Sequence, residues 1–376
     1  MFKPRAETII LITLIALVSG CGTGEPSAPS LATTPAPPTS TPVPSPTTAV
    51  LATPAESPIV AVVPTPGLDG QSPLPTTPSG APSAAAVYPT PSVTAAPRPP
   101  LSGSGGGVIA FTSERDGNSE IYVMNADGTE PQRLTDDPAY DAWPSWSLDG
   151  TEIAFTSVRS GNPDIYVMNA DGSNLRQLTQ HSADDYWPNW SPDGVQIAFV
   201  TRRDGNAELY VMNSEGTNLQ RLTNTPGHED FPSWSPDGTR MVFSRIEGDD
   251  GTCVMNADGS NEQRLLDFAV LEPAWSPDGT RIAFGSDHEG FRAIYVMDAD
   301  GSNLQRLSDT RAGENCPDWS PDGTRIALAS WRDGDGEIYV MAADGTDLHK
   351  LTDNRYQEEF PAWRPASGLG TAVESS

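Results

Sequence analysis

Short apolar runs alternate with polar, glycine-bearing turns along the last two thirds of the chain. In the stretch 190–234, apolar segments at 196–200 and 208–212 flank the turn Arg203-Asp-Gly-Asn206. Apolar runs of this length bounded by Asp-Gly pairs are typical of strands joined by hairpins. A second turn, a short polar strand over 218–223 and a segment ending at Trp234 follow. We therefore predict four strands in this stretch.

The same unit recurs six times. Its most regular mark is a tryptophan that returns at intervals of 44, 44, 41, 44 and 44 residues, and the first five copies open the turn Trp-Ser-x-Asp-Gly. A unit that repeats at this period cannot bury its apolar faces alone, so neighbouring units must pack together. The repeat tryptophans are Trp146, Trp190, Trp234, Trp275, Trp319 and Trp363.

Apolar triplets inside the units predict how the units pack. Triplets such as Ile153-Ala-Phe155 and Ile197-Ala-Phe199 are apolar on both faces, which suits a sheet sandwiched between two others. No 3.6-residue apolar period is present. Repeats of this length with four short strands are typical of β-propeller blades. We predict an all-β fold, a six-bladed β-propeller of four-stranded antiparallel blades.

The phase of the repeat predicts how the propeller closes. The pattern begins at Val108 with the second strand of a blade and ends near Trp363 with a first strand. If this C-terminal strand pairs with the N-terminal blade, six full blades close into a ring without a free edge. One unit is irregular: the hairpin near 248–251 is one residue shorter, and Cys253 stands where the other units have tyrosine.

The string Trp190-Ser-Pro-Asp-Gly194, followed by Ile197-Ala-Phe199, Arg203-Asp-Gly-Asn206 and Tyr210-Val-Met212, resembles the WD-like repeat of TolB-type propellers. The resemblance covers residues 107–364. It implies a propeller from a superfamily of envelope proteins, in which TolB acts in a complex with the peptidoglycan-associated lipoprotein. We expect the small α/β domain that precedes the TolB propeller to be absent here.

The N-terminus has the pattern of a secretion signal. Lys3 and Arg5 precede an apolar stretch over 9–18, which ends in Val18-Ser-Gly-Cys21. Resemblance to bacterial lipoprotein signals implies cleavage before Cys21 and a lipid on its sulfur. The alternative is a transmembrane anchor, which the short apolar run disfavours. We predict a lipoprotein signal peptide over 1–21 with Cys21 as the lipidation site, in a protein anchored outside the cytoplasm to the bacterial cell membrane or envelope.

Composition divides the rest of the chain. Residues 22–106 are dominated by Pro, Thr, Ser and Ala, so we predict a disordered tether there, the propeller over 107–364 and a disordered tail over 365–376. The chain carries 50 acidic and 22 basic residues, a net charge of -28. Nucleic acid is excluded as a partner because phosphate binding needs a basic face. We expect membrane contact through the lipid anchor only.

A carboxylate stands five residues before the repeat tryptophan in five units. This position begins the predicted innermost strand, so the carboxylates could form a rim at the channel that binds a divalent cation or a basic patch of a partner. The alternative is that they bond to backbone groups or are solvated. No other cofactor or metal site is predicted. The candidate rim residues are Asp141, Asp185, Glu229, Glu314 and Glu358.

Other candidates are weighed against simple packing. Aromatic residues three before the repeat tryptophan, Trp143, Trp187, Phe231 and Phe360, would flank the rim; burial between blades is the favoured interpretation. Cys253 and Cys316 are expected to be small buried hydrophobes without a disulfide. A methionine that recurs in every unit is expected to pack in the core.

Three functional hypotheses remain open, and one of them is glycan binding by exposed aromatic side chains. The leading hypothesis is a monomeric, non-catalytic lipoprotein whose propeller binds an envelope protein or a cell-wall ligand. The alternative is a metal-dependent lyase or hydrolase acting on envelope glycans or peptides through the channel. An enzyme needs a base or nucleophile with a matched partner, and His181, His228, His288 and His349 fall at unrelated positions in their units. We predict no catalytic residues.

Overall fold

The structure, a computed structural model, describes residues 107–247, 249–308 and 311–366, which form six four-stranded antiparallel sheets. The predicted all-β fold and six blades are confirmed. Within these residues, no helix is long and apolar enough to cross a bilayer. The predicted signal peptide with Cys21, the tether over 22–106 and the tail beyond residue 366 lie outside the described residues and stay predictions.

One strand of each blade lies in a ring around the central channel, and neighbours in this ring contact one another all the way round. Every inner strand carries a proline two residues before the repeat tryptophan. Proline is tolerated there because the edge facing the channel needs no N–H donor. The inner strands are β4 (Asp141–Trp146), β8 (Asp185–Trp190), β12 (His228–Trp234), β16 (Leu271–Trp275), β20 (Glu314–Trp319) and β24 (Glu358–Trp363).

The second and third strands of each blade form its buried middle. The second strands are β1 (Val108–Ser113), β5 (Glu152–Ser157), β9 (Gln196–Thr201), β13 (Arg240–Ile246), β17 (Arg281–Ser286) and β21 (Arg325–Ser330). The third strands are β2 (Glu120–Asn125), β6 (Asp164–Asn169), β10 (Glu208–Asn213), β14 (Gly251–Asn256), β18 (Ala293–Asp298) and β22 (Glu337–Ala342). Both sets alternate side chains between two neighbouring blades, so both of their faces are apolar.

The outer strands are short, and each contains at least two polar residues. They are β3 (Gln132–Arg133), β7 (Arg176–Gln177), β11 (Gln220–Arg221), β15 (Gln263–Leu266), β19 (Gln305–Arg306) and β23 (His349–Lys350). Short, charged edge strands at the periphery disfavour pairing with other chains. We number the blades 1 to 6 by their inner strands, in the order β24, β4, β8, β12, β16 and β20.

The ring closes as predicted, because β24 pairs with β1 in blade 1. Ile109 lies opposite Trp363, and Ser113 lies opposite Glu358. The first and last strands of the propeller therefore share one sheet. This pairing removes the free edge that either strand would leave alone.

The core lies between the blades. Phe199 of blade 3, for example, packs with Ala154 and Ile165 of blade 2. The recurring methionines are buried in this core, which confirms the packing role predicted for them. Cys253 pairs with Phe243 at the tyrosine position of its blade and is buried, as expected. The shortened unit therefore keeps the packing of the others.

Candidate ligand-binding site

The five predicted rim carboxylates are the first or second residues of their inner strands, but they are fully buried. Each pairs with an arginine of its own blade: Asp141 with Arg159 at 2.6 Å, Asp185 with Arg203 at 3.0 Å, Glu229 with Arg245 at 2.8 Å, Glu358 with Arg115 at 3.0 Å, and Glu314 with Arg332. Their charges are thus compensated inside the protein. Cation binding at these five residues stays a prediction.

The arginines approach from the hairpin between the second and third strands or, in blade 4, from β13. Arg159 also lies 5.1 Å from the ring centroid of Tyr166. Burial raises the pKa of Asp141 to about 6, and the charge of Arg159 opposes this shift. Blade 5 has Val270 at the carboxylate position and His288 at the arginine position, where the imidazole stacks on Phe268 at 4.4 Å. The ion pairs therefore have a structural role in five of the six blades.

A cavity of about 310 Å³ lies in the channel, on the side where the inner strands end. Its lining begins at the third residue before the repeat tryptophan and extends to Pro192 and Pro365, which follow the inner strands. The six prolines of the inner strands and five of the repeat tryptophans form much of the wall. We call the six residues at its inner end the floor residues: Trp143, Trp187, Phe231, Glu272, Cys316 and Phe360.

Four of the floor residues form a continuous aromatic arc across blades 1 to 4. The ring centroids of Phe360 and Trp143 are 5.7 Å apart, those of Trp143 and Trp187 are 5.5 Å apart, and those of Trp187 and Phe231 are 4.0 Å apart. All four side chains are partly exposed. Trp143 and Trp187 also pack against the core. The arc thus provides aromatic surface in the channel, whereas the favoured expectation was burial between blades.

A β-bulge directs the floor residues. In β4 the register shifts between Ala142 and Ser145, so Trp143 and Pro144 together oppose one residue of β5. Trp143 has φ 58°, and all six floor residues have φ between 44° and 58°. This left-handed conformation is costly for large side chains, and such strain concentrates at functional sites. A bulge changes the face to which the following side chains point.

Two carboxylates lie in the cavity lining, Glu272 of blade 5 and Asp318 of blade 6. Burial raises the pKa of each to about 7. Oε2 of Glu272 has no hydrogen-bond partner. Among the described residues that line the cavity, none is arginine, lysine or histidine. The cavity therefore combines an aromatic wall with acidic groups.

The residue just before each repeat tryptophan connects neighbouring blades beside the cavity. At three interfaces its side chain accepts the backbone N–H of the next repeat tryptophan: Ser145 from Trp190 at 3.1 Å, Asn189 from Trp234 at 3.2 Å and Asp318 from Trp363 at 2.6 Å. At the other three its carbonyl accepts the next indole N–H: Ala362 from Trp146, Ser233 from Trp275 and Ala274 from Trp319. These hydrogen bonds connect the residues of the cavity wall to the inner strands of the neighbouring blades.

Acidic groups also lie beyond the floor. Burial raises the pKa values of Asp230 and Glu359 to about 7. Arg202 opposes the shift at Asp230, and Arg292 opposes the shifts at Glu272 and Glu359. Within the described part of the chain, no group of three or more His, Cys, Asp or Glu residues is arranged to hold a metal ion.

Sequence reasoning missed Glu272 and Asp318. The signal was available in the columns of the repeat: the floor column reads Trp, Trp, Phe, Glu, Cys, Phe, and the column before the repeat tryptophan reads Ser, Asn, Ser, Ala, Asp, Ala. Columns that serve only packing, such as the recurring methionine, hardly vary. Variation at a ring of equivalent positions indicates side chains that face a shared space.

The chain matches a known protein family and resembles solved structures of that family. The family model described as the TolB beta propeller domain matches residues 83–267 and 266–369. TolB from Acinetobacter baumannii is 23% identical, with a TM-score of 0.60, over 69% of this chain and 67% of that chain. A putative TolB from Agrobacterium tumefaciens is 22% identical, with a TM-score of 0.56, over 69% of this chain and 99% of that chain.

The same fold occurs in a protein of a different name. Hydrazine synthase from Kuenenia stuttgartiensis is 18% identical, with a TM-score of 0.58, over 69% of this chain and 47% of that chain. Comparison with curated proteins gives no match. At these identities the structural likeness concerns the fold alone.

Proposed function

We propose, from the premise that this chain belongs to the TolB β-propeller family, that its propeller is a non-catalytic binding scaffold of the cell envelope. The observation that carries the proposal is the cavity at the centre of the ring, with its aromatic floor and its strained bulges. Large aromatic side chains that stay partly exposed in a concave, preformed space are typical of binding sites.

The carboxylates at the start of the inner strands, Asp318 and the thiol of Cys316 are held in ways that favour a binding role over a catalytic one. The buried carboxylates at the start of the inner strands are held by arginines, and Asp318 is held by the backbone N–H of Trp363 at 2.6 Å. The thiol of Cys316 has a pKa well above its usual range because it is buried. A thiol that stays protonated is a poor nucleophile.

Attachment to the envelope is the second part of the proposal. Lys3, Arg5, the apolar stretch over 9–18 and Cys21 support a lipidated N-terminus, and the Pro- and Thr-rich residues 22–106 would then separate the propeller from the membrane. Cells fed a labelled fatty acid should incorporate the label into the wild-type protein and not into Cys21→Ser. Equal labelling of both proteins would contradict lipidation at Cys21.

Photocrosslinking tests where the propeller binds. A photoreactive phenylalanine analogue in place of Pro192 lies at the cavity lining, whereas the same residue in place of Leu219, which is 43% exposed beside outer strand β11, lies at the periphery. Leu148 occupies the turn position equivalent to Pro192, so this turn tolerates a residue other than proline.

We expect irradiation of cells to yield a discrete adduct from the position of Pro192 and none from the position of Leu219. Adducts of the same pattern from both positions, or no adduct from the position of Pro192, would contradict binding at the cavity.

A further inference from the structure

We infer that the cavity binds an organic cation, an ammonium or guanidinium group carried on an apolar stem. This inference rests on the proposed binding function and specifies the chemistry of its ligand. The cation would lie over the aromatic arc formed by Phe360, Trp143, Trp187 and Phe231, with Glu272 as its counter-charge.

The aromatic arc provides the first part of the recognition. A cation over the face of tryptophan or phenylalanine is attracted by the negative potential of the ring, and two or more rings around one charge form an aromatic cage. Each ring contacts the next one along the arc, at centroid distances of 4.0 to 5.7 Å, and the four rings belong to four successive blades. The proline-rich wall above them adds apolar surface for the stem of the ligand.

The distribution of charge provides the second part. From blade 1 to blade 6 the floor residues are Phe360, Trp143, Trp187, Phe231, Glu272 and Cys316. Glu272 therefore follows the last ring of the aromatic arc. Asp318 lies in the lining of the next blade. No basic side chain is present among the described lining residues. Arg292 lies outside the lining and only partly offsets the charge of Glu272. The two carboxylates would therefore repel an anion in the cavity and attract a cation.

The hydrogen bonds of the two carboxylates assign their roles. Asp318 accepts the backbone N–H of Trp363 through Oδ2, so part of its hydrogen-bonding capacity is used to connect two blades. Glu272 is held by the backbone N–H and thiol of Cys316, while its Oε2 has no partner. A buried carboxylate oxygen without a donor is unfavourable. A cationic centre in the adjoining cavity would compensate its charge.

The protonation of Glu272 couples binding to pH. Burial raises its pKa to about 7, opposed by the charge of Arg292 and by the hydrogen bonds from Cys316. Glu272 and Glu359 also repel each other, which contributes to the raised pKa of Glu359. Because only ionised Glu272 provides the counter-charge, affinity for a cation should rise between pH 6 and pH 8.

Calorimetry with a matched pair of ligands tests the charge requirement. Choline and 3,3-dimethylbutan-1-ol have the same shape, but only choline is charged. We expect choline to bind full-length protein roughly tenfold or more tightly than the neutral alcohol, as cation–π and carboxylate interactions predict. Glu272→Gln should reduce choline affinity by roughly tenfold and leave the affinity for the alcohol unchanged.

A matched control and a second ligand complete the experiment. Glu215→Gln, at a side chain that is 77% exposed in an outer turn, should bind choline like the wild type. N-acetyl-arginine amide distinguishes the source of the cation: tighter binding than choline indicates a side chain of a polypeptide, and weaker binding indicates a free quaternary ammonium compound.

Equal affinities for choline and the alcohol, an unchanged Glu272→Gln variant, or no heat from either cation would overturn the inference. Photocrosslinking at the position of Pro192 would still report whether the cavity binds another partner, so failure of the cation hypothesis and failure of the proposed function are distinguishable.

Discussion

Carboxylates of one chemical type have opposite pKa shifts in this propeller, depending on where the repeat places them. In the turn after the repeat tryptophan, hydrogen bonds from Ser235 and Thr239 lower the pKa of Asp237 to about 2. In the channel, burial raises the pKa of Asp318 to about 7 although it accepts the N–H of Trp363. Hydrogen bonds to an exposed carboxylate stabilise its charge, whereas loss of solvation destabilises the charge of a buried one.

These shifts determine how stability depends on pH. Burial raises the pKa values of Asp230, Glu272, Asp318 and Glu359 to about 7, above the usual values of 3.8 for Asp and 4.5 for Glu. At pH values between the usual pKa and the raised pKa of each group, the folded state binds more protons than the unfolded state. Stability falls with rising pH wherever this holds. We therefore expect the free energy of unfolding to decrease from pH 5 to pH 8.

The variant Asp318→Asn tests this dependence at one residue. Asn189 makes the equivalent bond to Trp234 in blade 3, so asparagine fits this position. We expect the loss of stability between pH 5 and pH 8 to shrink by about 1 kcal/mol in urea denaturation of Asp318→Asn, allowing for partial solvation in the channel. Asp322, whose pKa hydrogen bonds lower to about 2, provides the control. Asp322→Asn should keep the wild-type slope over this range, and a wild-type slope in Asp318→Asn would contradict the assignment.

At the scale of the element, a glycine in the turn between the third and outer strands allows each blade to pack closely against the preceding one. Gly216 has φ 78°, and a Cβ atom there would lie 2.7 Å from the carbonyl oxygen of Leu178 in the preceding blade. Gly205, in the hairpin between the second and third strands, has φ 106° and open space around it. Both glycines relieve backbone strain, but only Gly216 also permits contact between blades.

The pair Gly216→Ala and Gly205→Ala separates these two effects. Both substitutions place a Cβ in a left-handed conformation, which costs about 1–2 kcal/mol. Gly216→Ala must also displace the backbone of Leu178, so we expect it to lower the free energy of unfolding by at least about 1 kcal/mol more than Gly205→Ala. Urea denaturation of the two variants measures the difference. Equal losses would show that blade contact at this turn is not tight.

For the whole molecule, closure of the ring decides whether six similar blades behave as one. The pairing of β24 with β1 is supported by the ion pair of Glu358 with Arg115 and by the hydrogen bond from Ser113 to Glu358 at 3.0 Å. Glu358 is fully buried, whereas the side chain of Arg115 is 22% exposed. Without this pairing, blade 1 lacks its inner strand and both of its interfaces lose packing. An open array of repeats unfolds less cooperatively.

Deletion of residues 356–364 tests closure directly. We expect the deletion to abolish the single cooperative transition in thermal unfolding, because it removes β24 and the core contacts of Trp363. Deletion of residues 367–376, which leaves every described strand intact, is the control and should keep the transition within a few degrees of the wild type. An unchanged melting curve after deletion of 356–364 would contradict closure by this strand.

The repeat predicted much of the fold correctly. Predicted strands at 196–200 and 208–212 correspond to β9 and β10, and the second-strand start at Val108 predicted the pairing of β24 with β1. The site was harder to predict. Acidic residues at the start of the inner strands looked accessible in the sequence, yet arginines from a hairpin 18 residues further along cover Asp141 and Asp185. Spacing alone does not reveal such long-range pairing.

The sequence by itself determined the number of blades, their strand order and the way the ring closes, because these follow from local turns and alternating apolar positions repeated six times. Only the tertiary structure decided which side chains face the channel. The bulge at Trp143 and its equivalents reverses the alternation within each inner strand, and the contents of the cavity are set jointly by six strands distant in sequence. The meeting of an aromatic arc with Glu272 is a property of the closed ring and of no single repeat.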